Sequence, residues 1–242
     1  MTTSTGAVAV AVAVAGSRHD ATSASTATTA FRTDSHTITL VAVSGLAPVP
    51  YFAAIEKDVT ALEGAGATIH TSGPSGVSRR LRDITRRWAY RRSSLASKAL
   101  ARHLGWLSAD EVLRGFRQDH PTWQAHDATR EEVIQRWTFV GAVASAISSR
   151  IVVKLPRTVI AERPDMVYGP RAGNTASLPV RAREVISLRA SEAIEAATNE
   201  RGDVVMLWST QHVPELTERL LERGYTDAET TWRTVTTFGP HA

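Results

Sequence analysis

The chain has no cysteine in 242 residues. That excludes a disulfide scaffold, a thiolate zinc site, an iron–sulfur cluster and a cysteine nucleophile. Lysine is nearly as scarce, with Lys57, Lys98 and Lys154 the only three among 28 cations. Against 24 acids the net charge is +4, modest for this length and no mark of a polyanion-binding chain. A composition so rich in Arg, Ala, Thr and Val points to a GC-rich coding sequence, not to a chemistry. Long hydrophobic runs are missing too. The longest, Ala7 to Gly16, spans about ten residues, roughly half of a transmembrane helix. It imitates the apolar part of a signal peptide, and Ala13-Val-Ala-Gly-Ser17 imitates a cleavage site. Met1 to Gly6 nevertheless holds no Lys or Arg, so the expected location is cytoplasmic. What remains is ordinary for a folded domain: 43% apolar and 21% charged residues.

Residues 1–35 are small and polar, and the sequence predicts a low-complexity, disordered tail there. One α/β domain is expected over residues 36–240. Thr37 to Val43 alternates as a buried strand does, Tyr51 to Glu63 places Phe52, Ile55, Val59 and Leu62 on one helix face, and Ala67 to Thr71 reads as a second strand. This β-α-β unit implies parallel strands. The region of about 78–150 is expected to be a helical insertion, with one helix capped by Ser108 and running through Phe116. Residues 163–180 read as a loop rich in Pro and Gly. Then follow a helix over Ala182–Asn199, a buried strand over Asp203–Trp208, a helix from Pro214 to Arg223, and an edge strand over Thr231–Phe238. The expected architecture is thus a small mixed sheet built from N- and C-terminal β-α-β segments with helices inserted between them.

Open α/β sheets bind ligands outside the carboxyl ends of their strands. Three such ends are legible: Ser44-Gly45, His70-Thr71-Ser72 and Ser209-Thr210-Gln211-His212. The third delivers an imidazole to a helix start that Pro214 leaves with free backbone N–H groups. His70 and Ser72 share one face of their strand by the two-residue period. Four residues, His212, His70, Ser44 and Ser72, are therefore candidates for catalysis, two imidazoles for proton transfer and two hydroxyls for positioning or nucleophilic attack. No Gly-x-Ser-x-Gly elbow marks a serine nucleophile. Gly45 and Gln211 border the same crevice as candidate substrate contacts.

Two further features have simpler readings. Arg79 to Arg102 is dense in cations, with Trp88 and Tyr90 among them, but on a helix the charges surround the axis rather than form a stripe. A solvated helix beside an acidic partner is the expectation, and nucleic-acid binding is not. His120, Trp123, His126 and Asp127 have a ligand-like spacing, yet Pro121 and the cap-like Asp127 make an inter-helix turn the expected structure.

Thr39-Leu-Val-Ala-Val-Ser-Gly-Leu-Ala47, with Tyr51 and the helix ending at Leu62-Glu63, resembles the opening of the TraB/PrgY/GumN proteins. The helix from Arg189 to Ala197, followed by Val204-Val-Met-Leu-Trp-Ser-Thr-Gln-His212-Val-Pro-Glu-Leu and the run to Gly224-Tyr225, resembles their closing block. That superfamily includes the Tiki metalloproteases and, more distantly, erythromycin-esterase-like and ChaN-like proteins. The family's first strand ends in Gly-x-x-His, whose histidine falls on Gly45 here. Its second-strand glutamate falls on Ser72, and its Arg-Asn pair becomes Arg189-Ala190. His212 and Arg189 alone carry over, with Arg189 placed to hold an anionic group of a substrate. One imidazole cannot supply the three or four ligands of a stable divalent site, so no metal and no other cofactor is expected.

The resulting expectation is a metal-independent enzyme of hydrolase, lyase or cyclase type, using histidine acid–base chemistry on a small organic or peptidic substrate. Recruitment into bacterial specialised metabolism would suit a rewritten site. The alternative expectation is a pseudoenzyme that keeps the pocket as a ligand-binding or protein-interaction module.

Overall fold

The computed structural model describes residues 16–19, 23–74, 101–102, 104–127, 132, 136 and 180–237. The Ala7–Gly16 run up to residue 15, most of the arginine stretch, and nearly all of the segment from 128 to 179 lie outside them.

The architecture is mixed α/β, with one seven-stranded sheet and helices on both of its faces. The strands of that sheet are β1 (Ser17–His19), β2 (Ser23–Arg32), β3 (Thr37–Val43), β5 (Thr68–Pro74), β7 (Gln124–Asp127), β8 (Val204–Ser209) and β9 (Thr226–Thr237). A two-residue pair, β4 (Leu46–Ala47) with β6 (Leu107–Ser108), stands apart from it. The order is β1-β2-β3-β8-β5-β7, with β9 also paired to β2. Strands β3, β8, β5 and β7 run parallel, whereas β2 is antiparallel to β1, β3 and β9. Among the described residues the helices are α1 (Val49–Gly64), α2 (Ala109–Asp119), α3 (Val180–Thr198) and α4 (Val213–Glu222), with one 3-10 turn at Thr210–His212. None is long and apolar enough to cross a membrane.

Strand β8 reads Val-Val-Met-Leu-Trp because it is covered on both faces. Val205 and Leu207 face α1 and α2, packing with Phe52, Ile55 and Phe116. Val204, Met206 and Trp208 face α3 and α4, packing with Ile194, Leu216 and Leu220. Asp203, just before β8, ties the neighbouring strands to its entry. Its carboxylate accepts from the Thr37 amide at 2.8 Å and its carbonyl from the Thr68 amide at 2.9 Å. The β3–α1–β5 unit is parallel as expected from sequence, but β8 lies between its two strands, so the crossover spans a gap that the C-terminal half of the chain fills.

Three expectations need correction. Residues 1–35 are not a tail throughout, since Ser23–Arg32 forms a ten-residue strand paired on both edges. Its buried positions before Phe31 are Ala24, Ser25, Thr26, Ala27 and Thr29, all small enough to fit close under neighbouring elements, with Phe31 fully buried as the one large anchor. Second, the stretch expected as an inter-helix turn contains strand β7, so the inserted region is not purely helical. Third, the last strand begins at Thr226, five residues earlier than the alternation suggested.

Strand β2 has only two edges, and β9 occupies one along its length. On the other edge β3 pairs with Thr28–Arg32 and β1 with Ala24–Thr26, so β1 takes over that edge of β2 past Val41, where the ladder with β3 ends. The carbonyl of Gly16, just before β1, accepts from the Ala27 amide at 3.1 Å. A Cβ at Gly16 would lie 2.5 Å from the Thr210 carbonyl oxygen and 2.8 Å from Val213 Cβ. We expect Gly16→Val to lower stability by about 1–3 kcal/mol, the usual cost of overpacking. Urea titration checks this, and an unchanged midpoint would mean that β1 does not seat there.

Candidate functional site

At the carboxyl end of β3, Ser44 is buried and its polar groups are engaged. Its hydroxyl donates to the Leu46 carbonyl at 2.7 Å and its amide donates to the Tyr51 hydroxyl at 3.0 Å. Tyr51 in turn donates to the Ala42 carbonyl and pairs with Thr26, which pins the start of α1 to β2 and β3. Burial pushes the Tyr51 phenol above its ordinary pKa. The Gly45 carbonyl accepts from the Ala109 amide at the start of α2, and Gly45 itself is exposed. Ser72, expected just past the second strand, lies inside β5, which runs on to Pro74, and it is buried.

His212 is 5% exposed and closes the 3-10 turn before α4. The Gln211 side-chain amide lies 3.0 Å from its Nε2. An amide nitrogen only donates, so Nε2 accepts and the ring proton sits on Nδ1. Arg189, on α3, is held by two carboxylates, Glu192 at 2.6 Å and Glu132 at 2.8 Å. These two hydrogen bonds, Glu132 first, raise its pKa further. A guanidinium flanked this way is already neutralised before any anionic ligand arrives.

His70 belongs to a different group. Through the sheet register it stands opposite Met206 on β8 and Gln124 on β7, on the face covered by α3. Its ring is fully buried and stacks on His126, with centroids 4.8 Å apart and planes 13° from parallel. Its Nε2 faces the Glu200 carboxylate at 3.4 Å, and Gln124 Nε2 donates to that same carboxylate at 3.1 Å. Both ring nitrogens of His70 and Nε2 of His126 are buried without a hydrogen-bond partner among the described residues. Burial, reinforced by His126 and opposed by Glu200, pushes the His70 pKa down to about 4. Burial also lowers that of His126, against the pull of Glu192 and Glu200. Both rings are therefore neutral at pH 7, each with one N–H to donate.

No hydrogen bond, ion pair or ring contact joins His70 to His212 among the described residues. His70 lies level with Met206, roughly 10 Å of strand before Ser209, whereas His212 follows that strand end. The imidazole that does meet His70 is His126, whose sequence surroundings predict a turn. Its signal was present in the two-residue period, since Gln124 and His126 share the face of β7 that looks at His70. Glu192 on α3 and Glu200 just after it had no local signal, because that segment meets β7 only through the tertiary fold.

The ligand-like spacing of His120, Trp123 and His126 is split by that same period. Trp123 turns into the α1–α2 core, where His120 stacks on it at 4.5 Å beside Glu63, and His126 points to the opposite face. Among the described residues no group of three His, Asp or Glu is arranged to hold a metal ion. Comparison of the chain with protein-family models, curated proteins and solved structures finds no match to any of them.

Proposed function

We propose that the protein is a metal-independent enzyme that moves a proton on a small neutral organic or peptidic substrate, in an isomerisation, elimination or cyclisation. The observation that carries this reading is the stacked His70–His126 pair, with His70 Nδ1 and His126 Nε2 unpaired and His70 Nε2 facing a carboxylate. Burying polar atoms without partners costs free energy, on the order of 1–3 kcal/mol each, so a fold that keeps two of them together does so against its own stability. Glu200, part-exposed, is the proton acceptor of this arrangement. The neutral N–H of His126 polarises the substrate oxygen, and His70 behind it fixes the ring's orientation. A neutral imidazole suits that role because it donates without first needing a proton.

The reading also takes the chain as a TraB/PrgY/GumN-like protein with a rewritten site. Ala190 lies in the apolar core under α3, where the family's Asn would be buried. A cytoplasmic setting and a place in specialised metabolism belong to the same proposal.

The test is deuterium uptake. In D2O, the full chain is incubated with a panel of small carbonyl compounds, and incorporation is read by mass. The expected result is exchange at carbon that falls about 10²-fold or more in His126→Gln and Glu200→Gln, at unchanged melting temperature. No exchange above buffer with any compound would sink the enzyme reading.

A second reading, a non-catalytic binding module, has its own support. Ser44 and Arg189, two groups expected to meet the substrate, are engaged within the protein. It predicts ligand-induced stabilisation without turnover, and the two readings separate in that one panel.

A further inference from the structure

Among the described residues β9 pairs with β2 alone, so one edge of a twelve-residue strand is left without a ladder partner. A long edge of this kind presents a row of backbone donors and acceptors to any strand that can match it. The pairing with β2 shifts register at two places, opposite Ala24/Ser25 and opposite Ala30/Phe31. The shifts set Val235 and Ala228 out of register on β9. Between them runs a regular stretch, Glu229-Thr230-Thr231-Trp232-Arg233-Thr234.

We propose that this stretch is a homodimer interface, in which β9 of one chain pairs antiparallel with β9 of a second copy around a two-fold axis at Thr231. Three arguments select that partner and that register. First, hydrogen-bonded and non-hydrogen-bonded pairs alternate along an antiparallel ladder. A two-fold axis placed between residues would make two adjacent pairs equivalent, which the alternation forbids. The axis must pass through a residue paired with its own copy.

Second, an axis at Thr231 sets Glu229 opposite the second copy's Arg233, and Arg233 opposite its Glu229. Both ion pairs fall on the face that carries Thr231, since positions 229, 231 and 233 share it by the period of two. Directly opposed side chains stand about 5 Å apart at Cβ, within reach of an ion pair. Arg233 already turns to that face in the single chain, where it pairs with Asp58 of α1. Moving the axis one residue to Trp232 sets Arg233 opposite Thr231 and Glu229 opposite Val235, and both charge pairs are lost. Moving it to Thr230 needs pairing through the irregularity at Ala228.

Third, the irregularities that bracket the stretch limit the ladder to a few residues on each side of the axis. A short self-complementary patch closes on itself as a pair and does not propagate. The strand is thereby self-limiting, although its middle is regular enough to pair.

Sedimentation of the full chain over a concentration series tests the proposal. The expected result is a monomer–dimer equilibrium. Glu229→Arg, which faces the second copy's Arg233 with like charge, weakens it by roughly 2- to 30-fold in Kd. Arg233→Glu does the same, and the double variant Glu229→Arg/Arg233→Glu restores the dimer by exchanging the two charges. Melting temperatures of the four proteins show that each is folded. A chain that stays monomeric up to millimolar concentration overturns the proposal. So does a dimer that the single substitutions leave unchanged, or a dimer that the double variant fails to restore.

Discussion

A chain shortened to begin at His36 is expected not to fold. The sequence alone suggests the opposite, because residues 1–35 have the composition of a dispensable tail. In the structure the truncation removes β2 and with it the partner of two strands. Strand β3 loses its antiparallel neighbour from Thr37 to Val41, and β9 loses its ladder from Thr226 to Thr237. The core loses Phe31, which is fully buried among Ile38, Leu40, Trp208 and Leu216. Deleting a buried Phe side chain costs about 3–5 kcal/mol. A domain of this size holds roughly 5–15 kcal/mol in all, and ten residues of paired backbone go with the ring. The truncated chain should show no cooperative melting transition by circular dichroism and poor dispersion in its amide NMR spectrum. Phe31→Ala in the full chain, by contrast, should fold with its stability lowered by about 3–5 kcal/mol. A truncated chain that melts at the temperature of the full one would show that β2 is not part of the native sheet.

The contrast between β2 and β8 explains what a single sequence discloses. Strand β8 is covered on both faces, and its Val-Val-Met-Leu-Trp run announces itself by hydrophobicity alone. Much of strand β2 is buried too, yet its buried positions before Phe31 are the small residues Ala24, Ser25, Thr26, Ala27 and Thr29, so buried and exposed residues differ little in polarity. Periodicity has nothing to detect there except Phe31. Helices α1, α3 and α4 were legible to within a few residues because their apolar faces repeat over three or more turns. The ends of β3 and β8 were equally legible, and the positions of Ser44 and His212 at strand ends followed from them, whereas β5, expected to stop at Thr71, runs on to Pro74 and takes Ser72 inside it. What those side chains do was not. Hydrogen bonds such as Ser44 to Leu46, and the clasp of Arg189 by Glu132 and Glu192, depend on loop and helix geometry that spacing does not encode. The meeting of His70 with His126 depends on β7 joining the sheet beside β5, a pairing between segments more than fifty residues apart.

That meeting also fixes how stability should respond to acid. An unfolded histidine titrates near pH 6.5, whereas burial and the neighbouring ring hold the His70 pKa in the fold at about 4. Between those values the unfolded chain binds more protons than the folded one, so stability falls as pH falls. The contribution is complete above about pH 6.5, declines through pH 5, and is exhausted once pH drops below the folded value near 4. Its ceiling is about 3 kcal/mol for His70. His126 acts with the same sign, because burial lowers its pKa as well. The carboxylates of Glu192 and Glu200 stand closest to the pair and oppose the shift, so they soften the slope without reversing it. Urea titrations of the full chain at half-unit steps from pH 7.5 to 4.5 should show this decline. In His70→Leu the buried titrating group is gone, and the curve over that range should flatten by most of the His70 share. His126→Leu should flatten it less, since the half-buried ring is the weaker contributor. A wild-type slope that both substitutions leave untouched would mean that the rings are solvated in solution. The neutral, unpaired imidazoles on which the proton-transfer reading depends would then not exist.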